Sequence, residues 1–275
     1  MIITYPAVGA ANTRIVTGAA PDRTAGPFPL VIFSEGFDIP VTSYATLTQS
    51  WTRAGFVVVE PVYPFTDPSY TTHLNESDII NHPRDLSFVI SSILALNVGS
   101  TTTLAGLVNP REIIVAGQSD GGDVALATVA NTCCRDSRIR AAMILSGAEL
   151  SSFAGQYFQS PTVPMLVTQG TNDIINPEAC SVQIYNAANA PKYYLSLFGA
   201  SHLAPYVYPG PYRDIVVNVT TEFLKDVTSG SGNSFQNLTA QGTVPGISAL
   251  TTGGSVGPIG GSCPGAPTQT SSAVG

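Results

Sequence analysis

The chain has 275 residues, of which 44% are hydrophobic and only 11% charged, and its formal net charge is −7. That length supports one large domain with a well-buried core, or two small ones, and a charged fraction far below the roughly 25% of an average soluble protein leaves Ser, Thr, Asn and Gln to cover much of the surface. Lys and Arg number 11 without forming a basic cluster, which excludes an electrostatic footprint for nucleic acid or anionic lipid, and no apolar run reaches the 18 or so residues of a membrane span.

Residues 1–27 are rich in turn formers and predict an antiparallel hairpin at a sheet edge. From Phe28 to about Thr228, short β-branched runs alternate with longer segments of helical period, the pattern of an α/β fold with a mostly parallel central sheet and crossover helices on both faces. Strands are predicted at LVIFS (30–34), FVVVEPV (56–62), EIIVAG (112–117), AAMILSG (141–147), PMLVTQG (164–170) and YYLSLF (193–198). Runs this apolar are buried on both faces. Helices are predicted near 41–54, 83–97, 121–131, 177–189 and 212–227, several opened by Pro or a capping residue, as in His82-Pro83-Arg84-Asp85 and Asn176-Pro177-Glu178. With the hairpin, the sheet has about eight strands. About 16 residues separate Gly147 from Pro164, too few for a large cap domain, so a site at these strand ends is expected to be open. After Asp226 the remaining 49 positions carry no charge. The chain therefore divides into a body, 1–228, and a tail rich in Gly, Ser, Thr and Pro, 229–275. The tail is either a flexible linker or a segment docked through FQNL and VPGISAL, with Cys263 as a pin.

Four cysteines, Cys133, Cys134, Cys180 and Cys263, show neither the CxxC nor the Cys/His spacing of a metal site. An even count, few lysines and Asn-x-Ser/Thr sequons at Asn75, Asn218 and Asn237 point to a secreted protein with one or two disulfides. The start, MIITYPAVGA, has neither the basic nor the apolar region of a secretory leader. Adjacent cysteines rarely bond each other, so Cys133 or Cys134 is expected to pair with Cys180 or Cys263.

Gly117-Gln118-Ser119-Asp120-Gly121 follows a strand and precedes a helical run, which is the context of a nucleophile elbow. Glycines at 117 and 121 let the backbone turn tightly, while Ser119 is held in a strained conformation above the carboxyl edge of the sheet. A serine hydroxyl needs a base, and of three histidines His202 follows the last strand, whereas His73 lies in a loop and His82 precedes a helix, where surface or capping roles are expected. Asp173, three residues past a buried strand, is the carboxylate to orient the imidazole, with Glu149 as its rival. The order Ser, Asp, His is that of α/β-hydrolases. An oxyanion would be met by the backbone N–H of Asp120, at a helix N-terminus, and of Phe37, in the loop after the strand at 30–34. Glu35 and Asp38 must then point away from it, as surface charges or loop braces. Candidate walls of the cleft are the ring of Phe37, Gln118, Tyr157, Ile174, Ile175 and Leu203, with a place in the core as the alternative for each. The carboxylate of Asp120 is favourable at a helix start.

These motifs, with YPA near the start, GPFPLVIFSEGF, AGFVVVEP, HPRDLSFVI, VAGQSDGG, QGTNDIINP and GASHLAPY, resemble the α/β-hydrolase superfamily, and within it the serine esterases similar to platelet-activating-factor acetylhydrolases, chlorophyllases and cutinase-like polyester hydrolases. The resemblance covers about 1–228. It implies Ser119 as nucleophile, Asp173 as acid, His202 as base, and Phe37 and Asp120 as oxyanion donors, without metal or cofactor. The elbow departs from similar polyester hydrolases, which tend to carry an aromatic residue and a Met where this chain has Gln118 and Asp120. The expected activity is hydrolysis of carboxylic esters, short-chain, extended or polymeric, by a secreted monomer. An acyltransferase or amidase using the same triad, and a non-catalytic binding protein on the same fold, are the alternatives.

Overall fold

The computed structural model describes residues 1–9, 14–229, 233–261 and 263. Eight strands form one sheet: β1 (Ile2–Thr4), β2 (Phe28–Ser34), β3 (Val57–Glu60), β4 (Val108–Gln118), β5 (Ile139–Leu145), β6 (Met165–Gly170), β7 (Lys192–Leu197) and β8 (Ser248–Thr252). Their order is β1-β3-β2-β4-β5-β6-β7-β8. The six central strands are parallel, whereas β1 pairs antiparallel with β3 and β8 antiparallel with β7. The architecture is that of an α/β-hydrolase-like fold.

Alternation along the strands sorts the core into two layers. Leu30 and Ile32 of β2, with Ile113 and Val115 of β4, pack against α2 (His82–Val98), α3 (Asp120–Ala130) and α4 (Glu178–Ala187). Val31, Phe33, Ile114 and Ala116 pack on the other face against α1 (Ala45–Arg53), α5 (Pro211–Ser229) and α6 (Ser234–Gly242). Both faces being covered explains why these strands read as continuous apolar runs.

The structure differs from two expectations. The N-terminal segment contributes one antiparallel edge strand and an isolated bridge, Ala7 to Pro21, rather than a regular hairpin. Cys133 and Cys134 are bonded to each other, and Cys180 is bonded to Cys263. Cys180 lies on α4, where residues 256 and 259 of the tail pack on the adjacent core face, so Cys263 reaches it at a Cα separation of 4.8 Å. The two adjacent cysteines then have only each other. The docked-tail alternative holds for the described part: α6 packs on α5, and β8 extends the sheet. The expectation beyond residue 263 lies outside the described residues. Among the described residues no helix is long and apolar enough to cross a membrane.

Strand order reverses at β2, because the chain passes from β2 to β3 on one side and then to β4 on the other. Their following helices, α1 and α3, leave on opposite faces. The carboxyl ends of β2 and β4 therefore border a crevice, the place where open α/β sheets bind ligands. Ser34 is in register with Gly117, so the loop after β2 lies level with the turn after β4.

Candidate active site

The turn after β4 forces Ser119 to φ 55° and ψ −124°, a region that costs a non-glycine residue on the order of 1–3 kcal/mol. The conformation is held from both sides: Ser119 N–H donates to the Leu145 carbonyl at 3.0 Å, and Asp123 N–H donates to the Ser119 carbonyl at 3.0 Å. Glycine is required on each flank. A Cβ on Gly117 would strike the Gly121 carbonyl, and one on Gly121 would strike the Ser34 carbonyl.

Loops after β6 and β7 are joined by backbone bonds, with Thr171 N–H donating to Leu197 and Asn172 N–H to Ala200, each at 3.0 Å. This brings residues 29 apart together: His202 Nδ1–H donates to Asp173 Oδ2 at 2.7 Å. Asp173 is 5% exposed. Its Oδ1 accepts from the backbone N–H of Ile175 at 2.9 Å and Asn176 at 3.0 Å, and its Oδ2 also accepts from Gln169 Nε2 at 2.9 Å. Gln169 is itself fixed by Ser181, whose hydroxyl donates to Oε1 at 2.6 Å. The carboxylate thus presents only acceptor character to the ring, which sets the tautomer with its lone pair on Nε2.

Glu149 is not the partner of His202. It is buried, accepts from Gln183 Nε2 at 2.9 Å, and burial raises its pKa. His82 has neither the surface nor the capping role expected of it. It is 2% exposed, stacks on Tyr63 with ring centroids 3.8 Å apart, and burial lowers its pKa to about 4 despite Asp78. His73 is exposed.

The loop after β2 runs alongside the turn. A Cβ on Gly36 would lie 2.7 Å from Gln118 Oε1 and 3.1 Å from Ser119 Cβ, so glycine is what lets the loop, and with it Phe37, approach. Glu35 is a brace rather than a surface charge: it is 3% exposed and its Oε1 accepts from Tyr63 N–H at 3.0 Å. Asp38 is exposed, with φ 58°. Asp120 opens α3, where its N–H has no intrahelical partner. Its side chain is more than a solvated terminus charge: Oδ2 is buried without a hydrogen-bond partner among the described residues, and burial, then Glu76, raise its pKa to about 7 against the opposing pull of His202.

The expected walls divide. Ile174 and Ile175 are exposed and Leu203 half-buried, on the loops that carry Asp173 and His202. Gln118 and Tyr157 are not open walls. Tyr157 is 8% exposed, belongs to the core on the α2–α4 side, and its hydroxyl oxygen accepts from Leu150 N–H at 3.2 Å. Gln118 is fully buried, and its amide bonds Tyr44 and His202. Tyr44 and Gln169 support the site and escape sequence reading. A polar Gln169 inside the apolar run PMLVTQG is a signal; Tyr44, in the apolar stripe of a helix start, offers none. A separate hollow lined by Pro29, Ala54, Gly55, Phe56, Glu112, Lys225 and Thr228 contains neither serine nor histidine.

Comparison of the sequence with protein-family models finds no matching family, and comparison with curated proteins finds no similar sequence.

Proposed function

We propose that this protein is an extracellular serine hydrolase of carboxylic esters, acting through an acyl-enzyme in the manner of the α/β-hydrolases it resembles. The observation that carries the reading is the strained Ser119 at a strand-to-helix turn, on the same sheet edge as a histidine whose Nδ1–H is held by a buried aspartate. A serine so presented, a base with its lone pair on Nε2 and a carboxylate that can only accept form the set needed for nucleophilic acyl transfer. In this mechanism Ser119 Oγ attacks the ester carbonyl while His202 Nε2 takes its proton, and the backbone N–H groups of Phe37 and Asp120 receive the developing oxyanion. His202 returns the proton to the departing alcohol. Water, deprotonated by the same nitrogen, then releases the acid. Short-chain or extended esters, polymeric ones included, suit a site with a short connection between β5 and β6 and exposed Ile174 and Ile175 beside it. Two disulfides are compatible with an extracellular protein.

The test is turnover of p-nitrophenyl acetate and butyrate by the Ser119→Ala variant, together with labelling by a fluorophosphonate. Loss of turnover by a factor of about 10⁴ or more is expected, with the label on Ser119 in the parent and absent from the variant. Undiminished turnover by Ser119→Ala would end the reading.

A further inference from the structure

Gln118 sits between two groups whose hydrogen-bonding roles are fixed by their own neighbours. The Tyr44 hydroxyl oxygen accepts from Gly36 N–H at 3.2 Å, which leaves its hydrogen to donate to Gln118 Oε1 at 2.7 Å. Burial raises the Tyr44 pKa and keeps that hydroxyl protonated. Oε1 is thereby the acceptor end of the amide, and the NH₂ end faces His202. Gln118 Nε2 lies 3.2 Å from the ring Nε2 and 3.4 Å from the His202 carbonyl. On the ring's other side, Asp173 Oδ2 takes the Nδ1–H. Both ring nitrogens are therefore engaged, and the one facing Gln118 is the one a general base uses. Tyr44 and Gln118 are both fully buried, so water does not compete for the bond between them.

We propose that Gln118, oriented by Tyr44, is a positioning residue for His202: its amide occupies Nε2 of the neutral ring in the resting protein and is displaced when that nitrogen takes the Ser119 proton. The proposal rests on the reading of His202 as general base. An N–H aimed at Nε2 suits only the neutral ring, because the imidazolium carries a hydrogen there. Two acidic groups act on the ring among the described residues: Asp173, from the loop after β6, bonds its Nδ1–H, and Asp120, at the start of α3, interacts with it electrostatically. Both attract positive charge, and the Gln118 amide works against them. The same chain of bonds ends at Gly36, one residue before the proposed oxyanion donor, so the base and the oxyanion loop are tied through a single buried glutamine.

The experiment is an NMR titration of the imidazole nitrogens in the Ser119→Ala protein, whose three histidines make assignment direct. Adding Gln118→Leu is expected to move the His202 midpoint upward by about 0.5–1 pH unit, roughly a three- to tenfold change in proton affinity, the effect of losing one neutral hydrogen bond. Tyr44→Phe leaves Gln118 in place but frees its amide to turn its oxygen toward the ring, and the midpoint is expected to move the same way. This second variant carries the test if Gln118→Leu does not fold. An unchanged His202 midpoint in the folded variants would overturn the proposal, since a purely structural role for Gln118 moves stability and not the titration. The titration needs no turnover, so its failure is distinct from failure of the esterase reading, which Ser119→Ala activity decides.

Discussion

Replacing Glu35 by Gln removes one buried ionisation while keeping the shape of the side chain. Glu35 Oε1 accepts from Tyr63 N–H, and Oε2 has no hydrogen-bond partner among the described residues. Burial, opposed by the Tyr63 bond and reinforced by Asp67 and Glu60, raises its pKa from 4.5 to about 8. The folded protein therefore keeps a proton that the unfolded chain has lost. Stability from this group is fully present below pH 4.5 and is lost as pH rises through about 8. At about 1.4 kcal/mol per pH unit across that window, the loss amounts to roughly 3–5 kcal/mol. The amide introduced by Glu35→Gln cannot ionise and retains an oxygen for Tyr63. The variant's stability advantage over the parent is thus small near pH 4.5 and grows by roughly that amount by pH 9. Glu60 and Asp120, each with a pKa of about 7, titrate in both proteins and largely cancel in the difference. Urea unfolding followed by emission of Trp51, the single tryptophan, fully buried with its indole N–H donated to Thr220, measures the effect, with constant m as the control. Parallel stability profiles for the two proteins between about pH 5 and 9 would refute the reasoning.

Asp173→Asn, which loses the carboxylate that fixes the tautomer, is expected to lower kcat by about 10⁴ while the fold survives; near-parent kcat would remove Asp173 from the triad. Gly36→Ala, with its Cβ against Gln118 Oε1 and Ser119 Cβ, is expected to shift the loop that carries the proposed oxyanion donor Phe37 and cost about 10²-fold in kcat, checked by ester kinetics beside circular dichroism. Removing Cys180–Cys263 by double substitution to Ser opens a link across 83 positions and should lower unfolding free energy by about 2–5 kcal/mol. The corresponding Cys133/Cys134 double substitution joins neighbours, closes no long loop, and should cost less than about 1 kcal/mol in the same urea assay.

The elements are legible because their signals are local. Burial on both faces makes β2, β4, β5 and β6 apolar in their central residues, and the run 112–117 falls within the observed Val108–Gln118. The turn at Ser119 is legible for the same reason, since glycine at 117 and 121 answers a backbone demand made within five residues. Long-range pairing is less accessible. The disulfide partners cannot be read along the chain, because sequence separation carries no information about which helix face the tail reaches. Tyr157 resembles a cleft wall only because it falls between two strands that end near the site; its position in the core is set by contacts to Asn131 and Leu150.

By itself the sequence determined the alternation of strands and helices, the strained serine turn and the order of serine, aspartate and histidine, because period and glycine placement act over a few residues. Only the tertiary structure decided that Gln118 turns inward to Tyr44 and His202, partners 74 and 84 positions away, that His82 is buried rather than exposed, and that an uncharged tail supplies the eighth strand. Each of those outcomes depends on which surfaces meet when the sheet closes its edges and covers its faces, and no stretch of chain carries that information alone.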